Sequence, residues 1–356
     1  MIRVAIDASS AATGGGISYL RHILPRLAQH DMLEVGPILA RVERPLVAAA
    51  IPPELHIIPA SGRLAARSRA WHEVVKSERI DVVFAPTEIS FCRYEMPLVL
   101  TLRNSAIFDE SLHRDYRRHE RVRFRIQQAL TRISARHASS HIAVSAYARD
   151  AATSFLGIEP ERIHIVRHGG PTENDHYRPR LPRPVRRLLV VSSLYRWKNV
   201  DRLLRCLRQV RGEWSLDIVG DMPEKRYGRE VNRLIDSMRS RVTFHGYLTG
   251  RSLEEMYQRA DCLIWPSYGE TFGHPLLEAH AHGLPLLVAR ACSNEEIAGS
   301  SPAYYFDPFD ELEIITVLQK AIGAVLPCGP LPRKYDWDAC ATHTGDILTK
   351  AAQARR

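Results

Sequence analysis

Two carboxylates eight residues apart are the groups of this 356-residue chain best placed to do chemistry. They are Glu270 and Glu278, in Pro266-Ser-Tyr-Gly-Glu270-Thr-Phe-Gly-His-Pro275-Leu-Leu-Glu278. Glu270 follows the apolar run Cys262–Trp265, and Glu278 falls about one turn into a helical pattern that Pro275 opens. Proline suits a first helical turn, where a missing N–H costs nothing. Phe272, Gly273 and His274 there present their amides at the positive end of a helix, to an anionic or hydroxyl-rich ligand. One acid in the loop and another on the helix grip a polyhydroxylated molecule at two points. The pair is also open to a reading as the acid and base of glycoside hydrolysis, and Glu270 to one as a plain helix cap. Both acids on one short segment beside those amides suit a nucleotide sugar better than a scissile glycosidic bond.

Ser192-Ser193-Leu-Tyr-Arg196-Trp-Lys198-Asn199 stands behind a second apolar run and before a helical pattern. From there Arg196 and Lys198 neutralise a diphosphate leaving group, unless they are simply solvated surface cations. Near the N-terminus, Thr13-Gly14-Gly15-Gly16-Ile17 follows the first strand pattern and opens a helix. It is a ligand-facing glycine loop or a tight turn. It is not a dinucleotide fingerprint, because Tyr19 occupies the place of the third glycine. Metal is poorly supported. His280 and His282 are two apart on a helical pattern and cannot face one ion together, and Asp336-Trp-Asp338 reads as a helix start.

The elements that position these groups alternate along the chain. Strand patterns fall at Ile2–Ile6, Leu33–Leu39, His56–Ile58, Asp81–Phe84, Leu98–Leu102, His141–Val144 and Ile163–Val166. Helical patterns at Ile17–Gln29, Leu64–Ser77, Leu112–Arg136 and Ala146–Leu156 separate them. The turn- and proline-rich stretch Gly169–Pro184 reads as a linker. Strands then resume at Arg187–Val191, Ser215–Val219, Val242–His245, Cys262–Trp265, Leu286–Val288 and Tyr304–Phe306. Helices are expected at Val200–Arg211, Gly228–Ser237, Ser252–Arg259, Pro275–His282, Asp310–Ala324 and Asp336–Ala354. Such alternation predicts an α/β protein of two doubly wound parallel-sheet domains with a cleft between them, ligands binding at the carboxyl ends of strands. The predicted boundaries are 1–172 and 173–337.

At 45% hydrophobic and 25% charged residues the composition is that of an ordinary globular protein, and no run approaches a membrane span. The N-terminus lacks a signal peptide's apolar region, and the six cysteines form no CxxC pair. A cytoplasmic protein is the expectation. The net charge of +9, carried almost wholly by arginine, permits phosphate-bearing substrates, nucleic acid or an anionic membrane surface. No nucleic-acid motif or stacking platform accompanies it. Leu112–Arg136 is basic and amphipathic, a peripheral membrane contact or a solvated face.

Taken together, these motifs resemble glycosyltransferase family 4, nucleotide-sugar-dependent enzymes of the GT-B architecture. The likeness rests on "PSYGETFGHPLLEAHAHGLPLL", "GGGISYL", "VSAYARDAATSFLGIEPERIHIVRHGG", "VSSLYRWKNVDRLL" and "VTFHGYLTGRSLEEMYQRADCLIWPS". It implies that Glu270 holds a donor-sugar hydroxyl and that Phe272, Gly273 and His274 touch sugar or phosphate. Glu278 would bind the ribose, Lys198 the diphosphate with Gly15 and Gly16 close by, and Tyr247 and Leu248 the base. It further implies a C-terminal helix, about 338–356, crossing back to the first domain. The first domain would bind the acceptor and the second the donor. Two departures stand out. Ser192-Ser193 replaces a frequent Gly-Arg, which passes the second phosphate cation to Arg196. Arg103-Asn104 replaces a frequent His-Asp, leaving Arg103 to meet phosphate and Asn104 a hydroxyl. The activity implied is retaining, metal- and cofactor-independent hexosyl transfer, with GDP-mannose favoured over a UDP-hexose. The acceptor would be a glycan or lipid-linked intermediate of cell-surface polysaccharide. A nucleotide-sugar epimerase and a non-catalytic sugar-nucleotide binder are the alternatives.

Overall fold

The computed structural model describes residues 1–11, 14–62, 68–114, 116–171, 183–299, 303–328 and 334–354. The chain forms two compact units, Met1–Gly169 with Lys334–Arg356, and Gly170–Arg333.

The first unit is built on seven parallel strands: β1 (Ile2–Asp7), β2 (Leu33–Ala40), β3 (Ile57–Pro59), β4 (Val82–Ala85), β5 (Leu98–Leu102), β6 (Ser140–Ala143) and β7 (Ile163–Ile165). Their spatial order is β3-β2-β1-β4-β5-β6-β7. β4 and β5 are buried at every position, as parallel strands covered on both faces must be. The helices are α1 (Gly14–Leu27), α2 (Pro45–Ala48), α3 (Arg69–Ser77), α4 (Ser105–Phe108), α5 (Arg118–His137) and α6 (Ala146–Leu156). The second unit has six parallel strands: β8 (Arg187–Val191), β9 (Ser215–Val219), β10 (Val242–Phe244), β11 (Cys262–Trp265), β12 (Leu286–Ala289) and β13 (Ala303–Phe306). Their order is β10-β9-β8-β11-β12-β13. Its helices are α7 (Val200–Leu207), α8 (Lys225–Asp236), α9 (Gly250–Arg259), α10 (His274–Ala281), α11 (Asn294–Ala298) and α12 (Glu311–Ala321). The final helix, α13 (Trp337–Gln353), returns to the first unit.

In both sheets strand order reverses beside the first strand of the unit, between β1 and β4 and between β8 and β11. The chain leaves these neighbours in opposite directions, which opens a crevice at their carboxyl ends. Fold physics therefore points to the loops after β1, β4, β8 and β11.

α13 is held by its first residues. Asp336 accepts hydrogen bonds from Asp338 N and Ala339 N, the capping role its sequence suggested, and Asp338 pairs with Arg26 of α1. Trp337 is buried, stacked on His22 with ring centroids 4.5 Å apart and on His168 at 5.5 Å. Trp337→Ala is expected to cost about 3–5 kcal/mol, read as a lower chemical-unfolding midpoint.

His141 of β6 is fully buried, its Nε2 bonded to Ala135 O and its Nδ1 without a partner. Burial pushes its pKa down to about 4. The folded state thus holds the neutral ring. Its contribution is present above the ordinary value of 6.5 and is lost as pH falls toward 4. Unfolding followed between these limits should show a loss of about 3 kcal/mol that His141→Gln removes.

Several elements differ from expectation. The helix expected over Leu112–Arg136 is two elements. Glu110–His113 forms a 3-10 turn capped by Asp109, and α5 begins afterwards with Glu120 accepting from Arg117 N at 2.7 Å. Burial of His113, stacked 4.0 Å from Phe124, holds the break. α7 and α12 stop before the expected Arg211 and Ala324, and α2, α4 and α11 were not expected. In Leu64–Ser77 only the helix from Arg69, capped by Ser68, is described; residues 64–67, like linker residues 172–182, lie outside the described set.

Candidate active site

The loop after β8 carries the first half of the site in the second unit. A 3-10 turn over Arg196–Lys198 ends at Asn199, which has a left-handed φ of 59° and is nearly fully buried. Asn199 Nδ2 donates to Pro308 O at 2.9 Å, so the turn is anchored from below. Lys198 reaches Glu270 and forms an ion pair with it, the two side chains 14% and 11% exposed. Its Nζ also stands 5.3 Å from the centre of the Trp265 ring.

The loop after β11 carries the other half. Because β8 and β11 pair, their loops run side by side, and Trp197 O accepts from both Tyr268 N (2.9 Å) and Ser267 Oγ (3.3 Å). Gly273 then turns the chain into α10 with φ 93°, a conformation that favours glycine. Pro275 lies in the first turn of α10, as its sequence suggested. Phe272 is buried, with His274 tilted against it at 5.0 Å. Lys198, Glu270 and the start of α10 are thus assembled where the sheet's strand order reverses.

Glu278 takes a separate partner. Tyr257 OH of α9 donates to its Oε2 at 2.5 Å, and Tyr257 in turn stacks on His282. Burial pushes the Glu278 carboxyl above its ordinary value, against the pull of the tyrosine hydrogen bond. Tyr247 is exposed and Leu248 half-buried, following β10 and Gly246 at the sheet's edge. Ser193 is half-buried, its carbonyl accepting from Ser192 Oγ and Tyr195 N.

Arg196 does not join Lys198. Its guanidinium bonds Glu230 of α8 at 3.1 Å and lies over the Tyr227 ring at 4.9 Å, while its backbone N donates to Glu224. Burial alone would lower its pKa, but Glu230 outweighs this and holds the proton more firmly. A 3-10 turn advances about 120° per residue, so side chains two apart diverge. The expected second phosphate cation is an anchor for α8 in this state.

In the first unit, Gly15 and Gly16 lie in the first turn of α1, Gly15 exposed and Gly16 buried; Thr13 lies outside the described residues. Arg103, immediately after β5, donates from Nη1 to Gly15 O at 3.2 Å and covers the Tyr19 ring at 5.5 Å. A Cβ at Gly16 would stand 2.5 Å from Arg103 Nη2, so any side chain there would push the end of the arginine aside. Burial lowers the Arg103 pKa, with Glu88 and Tyr19 opposing. Asn104 Nδ2 donates to Glu88 Oε1 at 3.3 Å. Glu88, in the loop after β4, joins this cluster without any motif to announce it.

Asn294 and Ser293 also escaped the sequence reading. Asn294 is fully buried. It accepts from Trp265 Nε1 at 3.1 Å and donates to Ser267 O at 2.8 Å and Ala289 O at 3.0 Å. Ser293 Oγ donates to the carbonyls of Glu270 and Phe272. They pin the Glu270 loop from the end of β12.

Among the described residues, no group of three His, Cys, Asp or Glu side chains is placed to share a cation. His280 Nε2 bonds Ala298 O while His282 lies on Tyr257, so the two part as their spacing implied.

Comparison with known families decides what this frame is. Residues 13–174 match the family described as Glycosyltransferase Family 4, and residues 185–323 match Glycosyl transferases group 1. The chain belongs to glycosyltransferase family 4. Its architecture is GT-B. This family-4 chain is 27% identical over 207 residues to the lipopolysaccharide glucosyltransferase WaaG of Escherichia coli, covering 53% of the chain and 52% of WaaG. The O-antigen chain mannosyltransferase RfbU of Salmonella typhimurium is 21% identical over 237 residues, 65% of each protein. The family-4 chain thus spans about half to two thirds of the length of these curated relatives. In structure, HepE of Anabaena, crystallised with UDP-glucose, superposes with a TM-score of 0.67 at 17% identity, covering 99% of this chain and 98% of HepE. At that identity the likeness speaks for the fold.

Proposed function

We propose that the protein transfers a hexose from a nucleoside-diphosphate sugar to a glycan or lipid-linked acceptor in cell-surface polysaccharide synthesis. The observation that carries this reading is the Lys198–Glu270 pair beside the start of α10, at the point where strand order reverses. An ammonium and helix amides at one spot suit a diphosphate, and a carboxylate beside them suits sugar hydroxyls. On donor binding Lys198 exchanges Glu270 for phosphate, and Glu270 turns to a hydroxyl. Glu278 takes the ribose, with Tyr257 fixing its rotamer. Tyr247 and Leu248 flank the base. The amides of Phe272, Gly273 and His274, with Ser193, complete the donor site on the second unit.

The first unit takes the acceptor, with Arg103 meeting phosphate and Asn104 a hydroxyl, and it contributes Gly15 and Gly16 to binding of the donor diphosphate. Transfer proceeds with retention and without a metal. The bond between the anomeric carbon and the diphosphate oxygen breaks, and the acceptor oxygen bonds to the same face. Its proton passes to the departing phosphate, whose growing charge Lys198 stabilises. GDP-mannose is the favoured donor, in keeping with the likeness to a mannosyltransferase, and a UDP-hexose is the competitor. No described helix is long and apolar enough to cross a membrane. A peripheral place on the inner face of an anionic membrane is supported by α5, whose exposed Val122, Ile126 and Ile133 alternate with arginines.

Incubation with a panel of UDP-, GDP- and ADP-sugars tests the reading. Slow hydrolysis of one donor to free hexose and nucleoside diphosphate is expected, and an acceptor glycan should accelerate release of the diphosphate while taking up the hexose. An epimerised nucleotide sugar, or binding without any chemistry, would replace it with one of the alternatives.

A further inference from the structure

A polar cavity lies on the first unit, away from Gly16, Arg103 and Asn104. Those residues follow the carboxyl ends of β1 and β5. The cavity is formed by the last turns of α5 and α6 and the segment leading into β7, at the amino ends of β6 and β7. Its volume is about 380 Å³, and its wall includes Arg132, Arg136 and Arg162 but no acidic residue. Among the described residues none of these three arginines takes part in an ion pair within 4 Å.

We infer that this cavity is a binding site for a phosphate group, carried on a small polar or lipid substituent. Arg132, Arg136 and Arg162 are all solvent-exposed, so water and the carbonyl ends of α5 and α6 screen their mutual repulsion, and the wall holds no carboxylate to compete for them. A phosphate dianion fits such a cluster, because the planar guanidinium fork matches two phosphate oxygens at a time. Arg132 is already oriented, its guanidinium 4.0 Å from the centre of the Phe155 ring. Gly157 closes α6 with φ 66°, and a Cβ there would meet open space, so this part of the wall is bare backbone. Leu156 and Ile158 supply apolar wall. Behind the cavity, His141 is held neutral by burial, with the charge of Arg162 acting in the same direction. The volume falls in the range of small-molecule sites, enough for a phosphate and part of its ester group.

The same chemistry has two sources, a lipid headgroup and a free phosphate compound. Ile133, 53% exposed, lies between Arg132 and Arg136 along α5, and Ile126 and Val122 continue its row. A lipid phosphate in the cavity would bring its acyl region against that row; a free phosphate would not. The inference goes beyond the transfer reading and does not depend on it.

The test compares two charge-matched triple variants. One removes the cavity cations (Arg132→Gln, Arg136→Gln, Arg162→Gln), and the other removes cations elsewhere on α5 (Arg118→Gln, Arg123→Gln, Arg125→Gln). Inorganic phosphate at constant ionic strength should raise the melting temperature of the wild type and of the second variant, but not of the first. Co-sedimentation with phosphatidylglycerol vesicles identifies the source. A lipid ligand requires the cavity variant to lose at least tenfold more vesicle affinity than the other, whose loss reports only the general attraction of α5 to an anionic surface. A phosphate response without a vesicle difference assigns the site to a free phosphate compound. Arg136→Gln alone, at an exposed position, serves if the triple variant does not fold, and should weaken phosphate binding about threefold. Equal behaviour of the two triple variants in both assays, or a chloride control that matches phosphate, overturns the inference.

Discussion

Lys198→Ala is expected to lower transfer turnover roughly a hundredfold to a thousandfold, the loss seen when one group facing developing negative charge is removed. Among the described residues the lysine is the one cation paired directly with Glu270, in the loop after β8. The substitution also strands the Glu270 carboxylate. Removing one member of a buried pair costs about 3–5 kcal/mol. With side chains 14% and 11% exposed, this pair stays near that regime, somewhat reduced by solvent. The two effects separate in a second variant. Lys198→Ala with Glu270→Ala should recover most of the lost stability and none of the turnover. Full turnover by the single variant would remove Lys198 from the diphosphate.

Asn294→Ala is expected to destabilise the second unit by about 3 kcal/mol and to weaken donor binding at least tenfold. The side chain satisfies Trp265 Nε1, Ser267 O and Ala289 O, all in the interior. Its loss leaves Trp265 Nε1 and Ser267 O without these partners, while Ala289 O keeps Ala291 N, at about 1–3 kcal/mol for each buried polar group left unsatisfied. It also loosens the start of the Glu270 loop at Ser267, leaving Ser293 alone to hold Glu270 and Phe272 from the end of β12. Chemical unfolding and calorimetric titration with the preferred donor check the two parts. A stability loss with unchanged donor affinity would show that the clamp does not position the site.

The strands were legible because each is a short apolar run between turn residues, and parallel strands covered on both faces must be such runs. Leu98–Leu102, Arg187–Val191, Ser215–Val219 and Cys262–Trp265 fall where their patterns begin and end. Glu270, Lys198 and Pro275 were legible for a related reason: a strand end fixes where the next residues emerge. Side-chain direction was not. Arg196 and Lys198 share one turn, and only its 3-10 geometry sends one to Glu230 and the other to Glu270. The break before α5 depends on where His113 finds its stacking partner. Asn294, Ser293 and Glu88 carry no motif at all. Their roles come from tertiary contacts, such as Asn294 to Trp265 or Asn104 to Glu88, that no local pattern announces.

Calorimetric titration of the purified chain with UDP-, GDP- and ADP-hexoses, repeated on Lys198→Ala and Glu278→Gln, tests the central claim most directly. One donor should bind saturably with one site per chain. Lys198→Ala should weaken both the sugar nucleotide and its bare nucleoside diphosphate at least tenfold, while Glu278→Gln should weaken even the nucleoside monophosphate. Saturable binding that neither substitution alters, or no binding of any sugar nucleotide, would contradict the account.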